Sequence, residues 1–119
     1  MDASSLKALI ASVKQAIPLE IRVAPDSHEY LEGVLTRHDL QRCYELLNNA
    51  FGTPVKEFGK AAVFEANIQE IVRKLGGIRL DQCLFLQPYG TPQLAYAALW
   101  PWASDPTRIT LKVGVYNLP

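Results

Sequence analysis

The sequence is poor in the side chains that hold metal ions, because its 119 residues include only two histidines and two cysteines. No H-x-x-x-H, C-x-x-C or H-E-x-x-H spacing occurs, which excludes a zinc site built from a local motif. Cys43 and Cys83 both lie among apolar neighbours, where a free cysteine behaves as a small buried hydrophobe. We therefore expect no metal ion, no cofactor and no cysteine nucleophile.

The sequence also lacks an excess of either charge, with 12 basic and 12 acidic residues. Nucleic-acid binding draws most of its affinity from neutralised phosphates, so we expect none here. The longest uninterrupted apolar run, Leu94–Trp100, is far shorter than the ~20 residues that span a bilayer. Met1–Ser5 lead directly into an amphipathic pattern, without the apolar region of a signal peptide. These absences predict a cytoplasmic protein that binds no membrane.

What the chain does contain is a composition typical of one globular domain over residues 1–119, with 49% hydrophobic and 20% charged residues. Apolar residues first recur at helical spacing at Leu6, Leu9, Ile10, Val13 and Ile17. Asp2 or Ser4 can cap this first helix, and Pro18 ends it.

A second helix is predicted over residues 37–51, with Thr36 as its N-cap and one buried face. That face carries Leu40, Cys43, Tyr44 and Leu47. Thr53-Pro54 can start a third helix that continues to Leu75. Gly59 is unfavourable inside a helix, so a loop over Val55–Lys60 is the alternative.

Strand signals occupy most of the remaining chain. Alternation predicts a strand at Leu19–Val23, a turn at Ala24–Glu29 and a second strand at Tyr30–Leu35, for which a short helix is the alternative. Three further strands are predicted at Ile78–Gln87, Gln93–Trp102 and Arg108–Tyr116. The fold class is therefore α+β: an antiparallel sheet of three to five strands, with a C-terminal three-stranded meander and about three helices packed mainly on one face.

The strand Gln93–Trp102 is the segment that most suggests a binding surface, because residues 94–102 carry no charge on either face. A strand that is apolar on both faces needs cover on both. The face with Ala95 and Ala97 suits close helix packing. The other face, with Tyr96, Trp100 and Trp102, then forms an outward aromatic surface for binding, unless these rings simply belong to the core.

Lys56 and Lys60 are the other candidate binding residues. If they lie in the first turn of the third helix, its free backbone N–H groups and the two ammonium groups can hold a phosphate or carboxylate. The alternative is that both are solvated lysines on one exposed face.

These patterns favour a non-enzymatic module that binds another protein or associates with itself as a homo-oligomer. The alternative is a small-ligand-binding domain that uses Tyr96, Trp100 and Trp102 with Lys56 and Lys60. An enzyme is the less favoured interpretation, although a catalytic site assembled through space leaves no local motif.

Overall fold

The computed structural model of the chain describes residues 1–23, 29–90 and 92–117. Its elements in chain order are α1 (Ala3–Ala16), β1 (Glu20–Val23), β2 (Leu31–Thr36), a 3-10 turn (Arg37–Asp39), α2 (Leu40–Phe51), α3 (Ala66–Lys74), β3 (Cys83–Pro88), β4 (Gln93–Pro101) and β5 (Arg108–Asn117). All five strands form one antiparallel sheet in the order β1-β2-β5-β4-β3. The predicted α+β class and C-terminal meander are confirmed. The predicted turn at Ala24–Glu29 lies, apart from Glu29, outside the described residues.

One face of the sheet packs against α1 and α2 and forms the main core. Ala95, Ala97 and Leu99 of β4 lie on this face, where small side chains let the helices approach closely. The helices contribute buried residues at helical spacing: Leu6, Leu9, Ile10, Val13, Cys43, Leu47 and Phe51. Asp2 caps α1 as predicted, since its carboxylate accepts a 2.8 Å hydrogen bond from the Ser5 amide.

The opposite, outer face of the sheet receives α3. Val72 and Leu75 pack there, against a smaller buried cluster of Leu84, Tyr96 and Ala98 from β3 and β4. Two of the three helices thus share one face, and α3 covers the β3–β4 end of the other. This arrangement gives β4 the cover on both sides that its apolar sequence requires.

Thr36 does not cap α2, contrary to the sequence prediction. Its hydroxyl lies 3.5 Å from the Asp39 carboxylate and makes no hydrogen bond to a backbone amide of the first turn. The Arg37 amide instead donates to the Thr107 carbonyl at 2.8 Å. A backbone hydrogen bond to the residue before β5 therefore holds this segment, and α2 begins only at Leu40.

The predicted start of a third helix at Thr53-Pro54 is wrong as well. The backbone of Val55 and Lys56 runs along the outer edge of β3, where both amides donate to the Leu84 carbonyl, at 2.9 and 3.3 Å. The Leu84 amide donates back to the Lys56 carbonyl at 2.9 Å. These bonds hold Val55 and Lys56 in an extended conformation, so the predicted alternative, a loop over Val55–Lys60, is correct. The helix α3 begins only at Ala66.

Candidate functional site

The outer face of the sheet is covered by α3 at one end only. Its other end is formed by β5, β2, β1 and the last residues of β4, and there both tryptophans are only partly buried. We call this surface the aromatic platform and define it by Trp100, Trp102, Arg108, Thr110 and Lys112. The partial accessibility of Trp100 and Trp102 agrees with the sequence prediction.

The antiparallel register explains why these five side chains meet. Trp100 pairs with Thr110, and Ala98 with Lys112, so side chains two residues apart on β4 and β5 project from the same face. The Trp102 amide donates to the Arg108 carbonyl at 2.9 Å, which continues the pairing past the end of β4.

The Trp102 ring is fixed from two sides. Its Nε1 donates a 2.8 Å hydrogen bond to Thr110 Oγ1, and the Arg108 guanidinium lies 4.6 Å from the ring centroid. Arg108 in turn pairs with Glu20 of β1 at 2.6 Å. A cation placed over an indole is attracted by the ring quadrupole, so the guanidinium and the ring hold each other at the surface.

The Trp100 ring carries a second cation. Lys112 Nζ lies 4.6 Å from its centroid and 3.9 Å from the carboxylate of Glu32, which also accepts a 2.8 Å hydrogen bond from the Tyr30 hydroxyl. Trp100 Nε1 is buried and has no acceptor among the described residues. A buried donor without an acceptor costs about 1–3 kcal/mol.

Tyr96 shares the face of the two tryptophans but does not lie at the surface. It is 7% exposed, because it belongs to the cluster that α3 covers. Gly114 of β5, its cross-strand partner, leaves space for the ring. A Cβ at Gly114 would lie 3.0 Å from the Tyr96 hydroxyl and 2.9 Å from the Tyr30 ring. Tyr96 therefore supports the platform from within.

Lys56 is only 3% exposed, and its ammonium group points inward. It donates to the backbone carbonyls of Glu57, Leu80 and Gln82, at 2.5, 2.8 and 2.7 Å. These three bonds use all three N–H donors of an ammonium group, so none is left for an anion. Lys56 and Lys60 therefore do not form the predicted anion-binding pair. Lys60 is exposed in the segment after Gly59, outside any helix. The structure brings neither lysine to the tryptophans.

The sequence analysis did not identify Arg108, Thr110 and Lys112 as partners of the tryptophans. The sequence feature that could have identified them is the alternation along Arg108–Asn117. These polar residues project from one face of the strand, and Ile109, Leu111 and Val113 project from the other. Alternation alone assigns them to a face, but the register between β4 and β5 decides which tryptophan each of them contacts.

Glu57 is the centre of a separate, partly buried polar cluster. Its carboxylate accepts hydrogen bonds from the Tyr44 hydroxyl and from the Phe58 amide, and Cys83 Sγ lies 3.8 Å away. Burial raises the pKa of the Cys83 thiol to about 12, and it raises that of Cys43 equally, to about 12. A thiol must lose its proton to act as a nucleophile, so neither cysteine is activated at neutral pH.

The two thiols are expected to be unreactive while the chain is folded. At pH 8, a disulfide reagent such as DTNB should label neither Cys43 nor Cys83 at more than about one hundredth of the rate seen for the chain unfolded in guanidinium, because both are buried and protonated. Rapid labelling of one cysteine under native conditions would contradict the burial of that thiol.

Comparisons with protein-family models, curated proteins and solved structures gave no match to this chain. Among the described residues, no three His, Cys, Asp or Glu side chains come together as ligands for a metal ion. His38 is exposed, and His28 lies outside the described residues. No helix in the described part of the chain has the length and apolar character needed to cross a membrane.

Proposed function

We propose that this chain is a non-enzymatic protein-interaction module, and that its partner binds on the aromatic platform. The observation that carries the proposal is the pair of partly accessible indoles on the outer face, where Trp100 packs against the edge of the cluster that α3 covers and Trp102 lies beyond it. Tryptophan and arginine are the residues most enriched among those that dominate interface energies, and here Trp102 and Arg108 lie in contact.

The shape of the site favours a protein over a small molecule. Small-ligand sites are concave and enclose most of the ligand. Of the clefts of about 450, 420 and 240 Å³ around the described residues, the first includes Arg108 at its rim, and neither tryptophan lines any of the three. Since Lys56 is committed to three carbonyls, the small-ligand alternative also loses its predicted anion-binding group.

The two edges of the sheet are poorly suited to receive a partner strand. The outer edge of β3 is already paired with Val55 and Lys56. At the other edge, β1 has four residues, an irregular register between Ile21 and Val23, and the charged residues Glu20 and Arg22. Short, charged and irregular edges resist strand addition. The open face is therefore the better surface for a partner.

The charges around the platform indicate the chemistry of the partner. Arg22, Arg108 and Lys112 lie close to the carboxylates of Glu20, Glu32 and Asp105, and two of these cations lie over the indoles. Two copies of this face packed together would bring like cations close to each other, which is unfavourable. A protein segment that combines carboxylates with an apolar group fits better.

A site-specific cross-linking experiment tests this proposal. A photoreactive benzoylphenylalanine at Arg22 flanks the platform, and the same residue at Lys7, exposed on α1 behind the opposite face, is the matched control. The captured protein is then purified and titrated against variants. Trp102→Ala is expected to weaken binding about 30-fold or more and Arg108→Glu to weaken it further at low salt, whereas Lys7→Ala has no effect.

Two results would overturn the proposal. One is a partner that cross-links equally from positions 22 and 7. The other is a purified partner that binds Trp102→Ala as tightly as the unaltered chain, with both proteins shown to be folded by circular dichroism.

A further inference from the structure

Three backbone carbonyls converge on one point beside the outer edge of β3, and we call them the carbonyl cradle. They belong to Glu57, Leu80 and Gln82, and Lys56 Nζ lies 2.5, 2.8 and 2.7 Å from their oxygens. A protonated amine has three N–H donors, so each donor has one acceptor. Short N–H···O distances of this kind are typical of hydrogen bonds in which the donor is charged.

The charge of this ammonium group is bound by carbonyls alone. Among the described residues, no carboxylate lies within ion-pair distance of Lys56 Nζ. The neighbouring carboxylate of Glu57 instead accepts from the Tyr44 hydroxyl and the Phe58 amide. Carbonyl oxygens that surround a cation replace the water it gives up on burial. The cradle is therefore a cation site in its own right.

Two of the cradle carbonyls are held in place by backbone hydrogen bonds that do not involve the ammonium group. The Leu80 carbonyl also accepts from the Gly59 amide at 2.8 Å, and the Glu57 carbonyl accepts from the Lys60 amide at 3.3 Å. A carbonyl oxygen has two lone pairs, so it can accept from both donors at once.

The third carbonyl belongs to Gln82, which is fixed by two hydrogen bonds to Arg79. The Gln82 amide donates to the Arg79 carbonyl at 3.0 Å, and the Gln82 side-chain oxygen accepts from the Arg79 amide at 2.6 Å. Because all three carbonyls have such supports, we expect the cradle to keep its shape when the lysine ammonium is removed.

A path from solvent to the cradle follows the lysine side chain. Lys56 lines a cleft of about 240 Å³ together with Phe64, Ile78 and Leu80. Apolar walls suit the methylene groups of a lysine, whose charged end continues to polar partners. Shortening the side chain to Cβ would join the cleft to the cradle and leave room for three carbons and one nitrogen.

We propose that the carbonyl cradle is a binding site for a primary alkylammonium group, and that this chain fills it with its own Lys56. The site requires a positive charge and three N–H donors on one nitrogen. A quaternary ammonium ion has the charge without the donors, so it does not fit. The cradle is separate from the aromatic platform and does not depend on the partner proposed for it.

Chemical rescue tests the site in the variant Lys56→Ala, with n-propylammonium chloride as the probe. Propylammonium supplies the three carbons and the ammonium group that this substitution removes. At about 0.1 M it should raise the urea midpoint of Lys56→Ala by about 0.5–1 M, because a ligand that binds only the folded state stabilises it.

Two controls separate the cradle from general effects of salt and amine. Tetramethylammonium chloride at the same concentration supplies the charge without an N–H donor and should not raise the midpoint of Lys56→Ala. Lys60→Ala makes the same substitution on an exposed side chain, so propylammonium should leave its midpoint unchanged. A shift that tetramethylammonium reproduces, an equal shift in Lys60→Ala, or no shift with propylammonium would overturn the proposal.

The unaltered chain gives a second test, which decides the matter if Lys56→Ala does not fold in any of these solutions. Burial and three hydrogen bonds slow the exchange of ammonium protons with water, so Lys56 should give a proton–nitrogen NMR signal at pH 7. The signal should show couplings across the hydrogen bonds to the carbonyl carbons of Glu57, Leu80 and Gln82, and it should persist in Lys60→Ala. Absence of the signal, or of all three couplings, would overturn the proposal.

Discussion

Replacing Lys56 with methionine is expected to lower the free energy of unfolding by about 3–5 kcal/mol, the largest effect that we predict for one side chain. Methionine keeps much of the length of lysine but donates no hydrogen bond. The carbonyls of Glu57, Leu80 and Gln82 would lose the ammonium group that now binds them in a nearly buried site. A hydrogen bond to a charged donor contributes about 1.5–3 kcal/mol, and the bond to the Gln82 carbonyl is buried, so losing all three together is strongly destabilising.

Lys60→Met is the matched control, since it makes the same substitution four residues later on an exposed side chain. It should change the free energy of unfolding by less than about 0.5 kcal/mol. Urea denaturation of both variants measures the two changes under the same conditions. If Lys56→Met lost less than about 1 kcal/mol, the three-carbonyl arrangement would contribute little to stability.

Replacing Gly114 with alanine is expected to lower the free energy of unfolding by about 2–3 kcal/mol, the second large effect. The added Cβ would lie 2.9 Å from the Tyr30 ring and 3.0 and 3.2 Å from atoms of Tyr96. Tyr96 is held beneath α3 and Tyr30 is bonded to Glu32, so the rings have little room to move. The denaturant midpoint of Gly114→Ala measures the cost.

A double-mutant cycle identifies the cause of that loss. In a Tyr30→Ala background the closest contact is gone, so Gly114→Ala should cost at least about 0.5 kcal/mol less than in the unaltered chain. An equal loss in both backgrounds would mean that the Tyr30 contact is not responsible.

The sequence patterns predicted the local elements well where one physical rule acts alone. The helical spacing of Leu6, Leu9 and Val13 correctly predicted α1, and the helical spacing of the apolar residues from Leu40 to Phe51 correctly predicted α2. The two-sided apolar character of residues 94–102 correctly indicated that β4 is covered on one face by closely packed helices and carries large aromatic rings on the other.

The predictions failed where a distant part of the chain decides the outcome. Residues 53–65 have spacing compatible with a helix, but the backbone of Val55 and Lys56 pairs with Leu84 instead. The same pairing brings the Lys56 side chain to carbonyls at Leu80 and Gln82, more than twenty residues away. Likewise, α3 covers Tyr96 only because the chain after residue 65 packs on the outer face of the sheet, which the local sequence does not determine. Local periodicity carries no information on such contacts.

The accessibility of the two tryptophans tests the platform most directly, because the chain has only these two indoles and both lie on it. We predict that acrylamide quenches their fluorescence in the isolated chain and that quenching is the same at 10 µM and at about 1 mM protein, since the cations over the two indoles disfavour packing two copies of this face together. The purified partner captured from position 22 should reduce quenching by at least half. Indoles already inaccessible in the isolated chain, or quenching that falls as the protein concentration alone rises, would contradict a platform that is open to a different protein.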